Sequence, residues 1–208
     1  MNPSLKIFVV SGSHRPESQS GKVARWIEGA LKAQGHETDV LDLGRDPLPL
    51  WEEGVWEGTD FWKQHWSPVS TRLQSSDALV VIAPEWGGMV PPALKNFLLL
   101  SGKKELGHKP GLIVGVSSGV SGTYPVAELR LSGTKNNRLC WIPDHVIVRK
   151  VESVLNTPPS AEVTPDSDDD FNRRRLKQSL GALVAYGRAF RGIRGSEEIL
   201  TAEFPNGM

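Results

Sequence analysis

Ile7-Phe8-Val9-Val10-Ser11-Gly12-Ser13-His14-Arg15-Pro16-Glu17-Ser18-Gln19-Ser20-Gly21 opens on four apolar residues, passes through a hydroxyl-rich turn and runs into an amphipathic segment. The short unbroken apolar run suits a strand buried on both faces. After the turn, Val23, Trp26, Ile27, Ala30 and Leu31 recur at the spacing of one helical face, and Gly35 stands where such a helix ends. The first turn of a helix carries unpaired backbone N–H groups, which favour an anion. Ser13, Ser18 and Ser20 can donate hydroxyl hydrogen bonds there, and Arg15 can offer a charged fork. Together they suit a phosphate monoester. Serines that cap a helix beside a solvated arginine would leave the same sequence.

Two better-known phosphate loops are excluded. Gly12-Ser13-His14 lacks the second glycine of the dinucleotide fingerprint, and Lys22 is followed by Val23 instead of Ser or Thr, which rules out the nucleotide-triphosphate loop.

Further along the chain the strand signal repeats. Ala78–Ala83, Leu112–Val116 and Val146–Val148 are short apolar runs, and Thr38–Leu43 is a fifth, alternating candidate. Leu94, Phe97 and Leu98 follow Pro91-Pro92, with proline at a helix start. Leu176, Leu180, Leu183 and Val184 mark a last helix, with Asp168-Asp169-Asp170 at its positive end. Further helices are expected over 58–75 and 124–138. Strand and helix thus alternate five times, which predicts a doubly wound five-stranded parallel α/β sheet with helices on both faces. Ligands of such sheets bind outside the carboxyl ends of the strands, so the loops after strands one, three and four matter most. The chain is expected to form one domain over 1–191, with 156–167 as an exposed proline-rich loop and 192–208 as a loosely held tail.

Composition bounds the partners. The chain has 208 residues, with 24 Lys+Arg against 24 Asp+Glu. Nucleic acid and anionic membranes call for a basic excess, so neither is expected as a partner. Cys140 is the single cysteine, which excludes an internal disulfide and a thiolate metal cluster, and the five histidines lack metal-ligand spacing. No metal is expected. With no apolar run long enough for a signal peptide or a membrane span, a cytoplasmic protein is expected. Arg173-Arg174-Arg175 reads as a solvated helix face. Trp51, Trp56, Trp62 and Trp66 read as core or as a subunit interface, where Trp is enriched, and an interface that also borders the ligand pocket is favoured.

The loop after strand three is Pro84-Glu85-Trp86-Gly87-Gly88-Met89-Val90-Pro91-Pro92-Ala93-Leu94-Lys95-Asn96. Gly87-Gly88 lets the backbone approach a ligand closely, and Trp86 offers a flat face. By itself the loop could equally be a plain turn with a core tryptophan. Taken jointly, Gly-Ser-x-Arg-x-x-Ser after strand one and Pro-Glu-Trp-x-x-x-x-Pro-x-x-Leu-Lys-Asn after strand three resemble the NAD(P)H-dependent FMN reductase family, over roughly residues 5–150. The resemblance implies a flavodoxin-like fold, an FMN cofactor, NADPH or NADH as reductant, and a small electron acceptor: a quinone, azo compound, metal oxyanion or free flavin. It implies a homodimer or homotetramer. Ser13, Arg15, Ser18, Gln19 and Ser20 would hold the FMN phosphate. Pro84, Glu85, Trp86, Gly87 and Gly88 would line the isoalloxazine, and Ser117, Ser118 and Gly119 would close its other side. The chain departs from the family in having Ser20 where Asn is frequent and Gly87 where Asn usually follows the aromatic residue. Hydride transfer needs no protein acid or base, so no catalytic side chain is assigned.

Two other readings compete. A flavodoxin-like electron carrier would share the fold, but carriers dock through strong charge, which a neutral chain lacks. Gly115-Val116-Ser117-Ser118-Gly119 also matches a nucleophile elbow, with Glu128 or Asp144 and then His145 downstream. Against that serine hydrolase stand the loop sequence Val120-Ser121-Gly122-Thr123-Tyr124-Pro125, where a helix should begin at once, and the lack of an upstream His-Gly-Gly-Gly loop.

Overall fold

The structure, a computed structural model, describes residues 3–199. Five parallel strands lie in the order β2-β1-β3-β4-β5: β1 (Lys6–Ser11), β2 (Glu37–Asp42), β3 (Ala78–Pro84), β4 (Pro110–Val116) and β5 (Cys140–Val148). The helices in chain order are α1 (Gln19–Ala33), α2 (Gly54–Glu57), α3 (Asp60–His65), α4 (Ser67–Gln74), α5 (Pro92–Leu100), α6 (Lys103–Leu106), α7 (Thr123–Leu131) and α8 (Asp168–Arg194). The doubly wound parallel α/β sheet expected from the sequence is the fold observed. Its order reverses between β1 and β3, which opens a crevice at their carboxyl ends.

β3 and β4 are buried along their whole length because helices cover both faces. On one face Ile7, Val9, Val80 and Val114 pack with Ile27 and Leu31 of α1 and Leu176, Leu180 and Leu183 of α8. On the other, Phe8, Val10, Val81 and Ile113 pack with Trp62, Leu73, Phe97 and Leu129. No described helix is long and apolar enough to cross a membrane.

Several local outcomes differ from the sequence reading. The helix expected over 58–75 is two helices that meet at Trp66. Pro68 has no N–H to continue the ladder across that junction. The helix expected over 124–138 stops at Leu131. α8 continues to Arg194, where the Gly195 N–H bonds to the Gly192 carbonyl at 3.3 Å. Residues 192–194, expected in a loose tail, are therefore helical, and 200–208 lie outside the described residues. The tryptophan group divides: Trp62 and Trp66 are core, Trp51 is half-buried and Trp56 is exposed.

The arginine run is not a solvated face. Arg174 is exposed and pairs with Asp170 at 2.9 Å, but its two neighbours face inward tasks. Arg173 is buried under the 156–167 loop. Arg175 forks onto both carboxylate oxygens of Asp144 and also reaches the His145 carbonyl at 2.9 Å. Three-residue periodicity gives the direction of a side chain but not what a distant loop lays over it.

This last pair has a pH signature. The Arg175 guanidinium holds the Asp144 carboxyl down to about 2, helped by the Ser179 hydroxyl at 2.8 Å. A carboxyl held below its unfolded value stabilises the fold above that unfolded value, near 4, and loses the contribution as pH falls towards 2. Full burial would make this worth roughly 2 kcal/mol. The side chains of Arg175 and Asp144 stay 30% and 28% exposed, so about 1 kcal/mol is expected. Arg175→Met should lower stability by that amount at pH 7 and by almost nothing at pH 2, measured by urea denaturation at both.

Candidate functional site

The turn after β1 is held against two neighbours by glycines. A Cβ on Gly12 would stand 2.7 Å from the Ile82 carbonyl oxygen, and a Cβ on Gly44 would collide with the Arg15 carbonyl. Glycine at both positions lets the turn lie flush on β3 and the loop after β2 lie flush on the turn. Ser18 then caps α1, its hydroxyl oxygen accepting the Gly21 N–H at 3.0 Å. Ser13 is buried and accepts the Arg15 N–H at 3.2 Å. Both hydroxyls act as acceptors in these bonds, so their own O–H groups remain free to donate. Ser20 is buried beside them. The Arg15 guanidinium is exposed and has no partner among the described residues.

These residues meet the loops after β3 and β4 across a cleft at the switch point of the sheet. Ser13, Arg15, Ser18, Gln19 and Ser20 form one wall, Pro84, Glu85 and Trp86 a second, and Val116 with Ser118 a third. Gly87, Gly88, Ser117 and Gly119 sit on the same loops without lining the cleft. Gly87 and Gly88 have φ of 58° and 74°, so the turn after Trp86 uses the left-handed conformations that glycine permits.

Glu85 lies at the cleft, but its carboxylate is engaged elsewhere. It accepts the Ser121 hydroxyl at 2.8 and 2.9 Å and the Gly122 N–H at 2.6 Å. It thereby ties the loop after β3 to the loop after β4.

The fourth wall, Val151 and Glu152 after β5, was missed by sequence reasoning. Its anchor is Lys22, whose ammonium donates to the Val151 carbonyl, to the Val154 carbonyl at 2.9 Å and to Asn156 Oδ1 at 2.8 Å. Burial pulls the Lys22 ammonium below the usual lysine range, against the opposing fields of Asp169 and Glu152. The signal that could have found this wall is the lysine itself, a charged residue placed next to the buried face of α1.

The serine hydrolase reading fails on geometry. His145 pairs with Ile113, whereas Ser117 follows Val116 and donates its N–H to the Val148 carbonyl at 3.0 Å. Three residues of strand separate those levels by roughly 10 Å. Asp144 is committed to Arg175 and Ser179, and Glu128 pairs with Lys95 and accepts the Val90 N–H at 2.7 Å. No acid–histidine–serine relay forms.

The donor set fits a phosphate ester carried on a flat ring system: free hydroxyls and an unpaired guanidinium at a helix start, with an indole on the opposite wall. Comparison with known proteins identifies the family. A 2-hydroxy-1,4-benzoquinone reductase of a Burkholderia species is 30% identical over 156 residues, 73% of this chain and 79% of that one. An FMN-dependent NADPH-azoreductase of Staphylococcus aureus is 25% identical over 128 residues, 61% of this chain and 68% of that protein. A flavoenzyme NAD(P)H:(acceptor) oxidoreductase from Paracoccus denitrificans superposes with a TM-score of 0.65 at 18% identity, covering 89% of this chain and 98% of its own, and so shares the fold. Residues 5–152 match the family model of the NADPH-dependent FMN reductases, and the chain belongs to that family.

Proposed function

We propose that this chain binds FMN with its phosphate in the Ser13–Ser20 turn and reduces a small electron acceptor at the expense of NAD(P)H. The observation that carries the reading is the convergence of the Ser13, Ser18 and Ser20 hydroxyls and the unpaired Arg15 on one cleft at the start of α1. The carboxylates at the cleft do not oppose an anion there: Glu85 is turned to Ser121 and Gly122, and Glu152 lies in the field of Lys22. Bound FMN would supply the redox chemistry, taking hydride from the nicotinamide and passing reducing equivalents to the acceptor. The chain's own residues bind and position. Arg15 and the serines fix the phosphate, Trp86 flanks the ring, and Glu85 keeps the loops on either side of it in register. Backbone amides of the 84–88 loop would face charge gathering on the ring.

A homodimer or homotetramer belongs to the same proposal. Leu99 on α5 is exposed at a groove lined by Val90, Leu98 and Leu129, an apolar face of the kind that associates. A cytoplasmic, reducing setting suits the half-buried free thiol of Cys140, which burial pushes above the usual thiol range.

The test is an absorption spectrum of the purified protein, followed by titration of the apo-protein with FMN and stopped-flow mixing with NADPH. A flavin band, micromolar or tighter FMN binding and direct bleaching by NADPH are expected. No binding at micromolar FMN overturns the proposal, and FMN binding without bleaching leaves the electron carrier instead.

A further inference from the structure

Beside the phosphate cleft lies a second recess, which shares Trp86 with it. His14, Leu50, Trp51, Trp86, Met89 and Leu99 form most of its wall, which is chiefly aromatic and aliphatic. Two of its other polar side chains are already engaged. The Asn96 side chain accepts the Trp51 N–H at 2.7 Å and donates to the Pro49 carbonyl at 2.8 Å, and the Lys95 ammonium pairs with Glu128.

His14 differs from both. Its ring meets Trp86 edge to face, with centroids 4.2 Å apart and planes at 68°. Neither ring nitrogen has a hydrogen-bond partner among the described residues. The aromatic contact orients the imidazole, so that a nitrogen offers a placed donor at the rim of an otherwise apolar recess. A flat ring entering there gains dispersion and stacking from Trp51 and Trp86. An oxygen on its edge finds the unpartnered His14 ring at the rim.

We propose that His14 is a specificity residue of an acceptor recess. It donates a hydrogen bond to a hydroxyl or olate oxygen carried beside the quinone carbonyls of a flat acceptor, so a ring bearing that additional oxygen binds more tightly than the same ring with a methyl group in its place. The inference rests on the reductase reading and adds the recess, the residue and the substituent it selects.

The experiment is calorimetric titration of the FMN-loaded protein, with no NAD(P)H present, using 2-hydroxy-1,4-naphthoquinone and 2-methyl-1,4-naphthoquinone. Wild type should bind the hydroxy compound roughly tenfold more tightly, the size expected of one hydrogen bond with partial charge. His14→Phe keeps an aromatic edge on Trp86 and removes the donor. It should erase that preference while the methyl compound changes by less than about twofold. Trp51→Ala should weaken both ligands roughly fivefold, as loss of an aromatic wall predicts. A hydroxy preference that survives His14→Phe, a wild type with no preference, or quinone binding indifferent to Trp51→Ala would each overturn the inference. A protein that takes up no FMN would overturn the reductase reading itself, which separates the two failures.

Discussion

Arg15→Ala will raise the FMN dissociation constant roughly thirtyfold and leave the urea midpoint of the apo-protein unchanged. The two halves of this expectation have different origins. Arg15 is exposed and donates to no described residue, so its removal leaves no internal acceptor stranded. Surface changes of that kind stay within about 0.5 kcal/mol. Toward a phosphate, however, a guanidinium offers two charge-assisted hydrogen bonds, worth about 2 kcal/mol net, which is the thirtyfold. Arg15→Lys keeps the charge and loses the fork, so its affinity should fall between the two. Riboflavin lacks the phosphate and supplies the control: its binding should be the same in all three proteins. An Arg15→Ala protein that loses riboflavin affinity as well would place the arginine against the ring. Unaltered FMN affinity would empty the turn of its assigned role. Fluorescence titration of apo-protein measures every case.

The strands were legible because a parallel sheet covered on both faces writes itself as short continuous apolar runs. Ile7–Val10, Ala78–Ala83, Leu112–Val116 and Val146–Val148 each fall inside an observed strand. α1 was legible for a related reason, since one face of it is buried and the other wet, so the apolar positions repeat at helical spacing. Three of the four walls of the cleft follow from that topology alone, because the loops after β1, β3 and β4 must gather where the strand order reverses.

What the sequence concealed depends on contacts between segments far apart in the chain. Glu85 was expected to face the flavin, and its neighbours in sequence give no hint of Ser121 and Gly122, 36 and 37 residues away. Val151 and Glu152 joined the cleft through Lys22, more than a hundred residues upstream. Among the four tryptophans, Trp62 entered the core with its indole N–H on Glu52, whereas Trp51 was drawn to the recess by a backbone bond to Asn96. Residue type and local spacing are the same in kind for both, so only the tertiary partners separate them.

Arg173→Ala is expected to cost about 3 kcal/mol of stability, the largest loss anticipated for a single charged residue of this chain. The guanidinium is buried and works with all three nitrogens. Nε bonds to Asp169 at 3.1 Å, one terminal nitrogen to the Pro158 carbonyl at 2.9 Å, and the other to the Thr157 carbonyl at 3.0 Å and hydroxyl at 2.6 Å. It also lies 5.7 Å over the Trp26 ring. Truncation strands a half-buried carboxylate and two loop carbonyls at once, and breaking a buried pair from one side typically costs 3–5 kcal/mol. The lower end applies because Asp169 keeps 21% of its side chain exposed and retains the Leu155 N–H at 2.6 Å. Asp169→Asn with Arg173→Met removes both charges together and should recover about half of the loss, because no charge is then left unpaired. The consequence reaches the cleft. Arg173 and Asp169 hold residues 155–161, Lys22 holds 151–156, and the two clamps share one loop whose first residues are the fourth wall. FMN affinity of Arg173→Ala, measured at a temperature where the variant is fully folded, should therefore fall roughly threefold, since loosening one end of the loop adds disorder that binding must remove. A urea midpoint equal to wild type would return the arginine run to a solvated face. A full stability loss with unaltered FMN affinity would show that Lys22 alone fixes the wall.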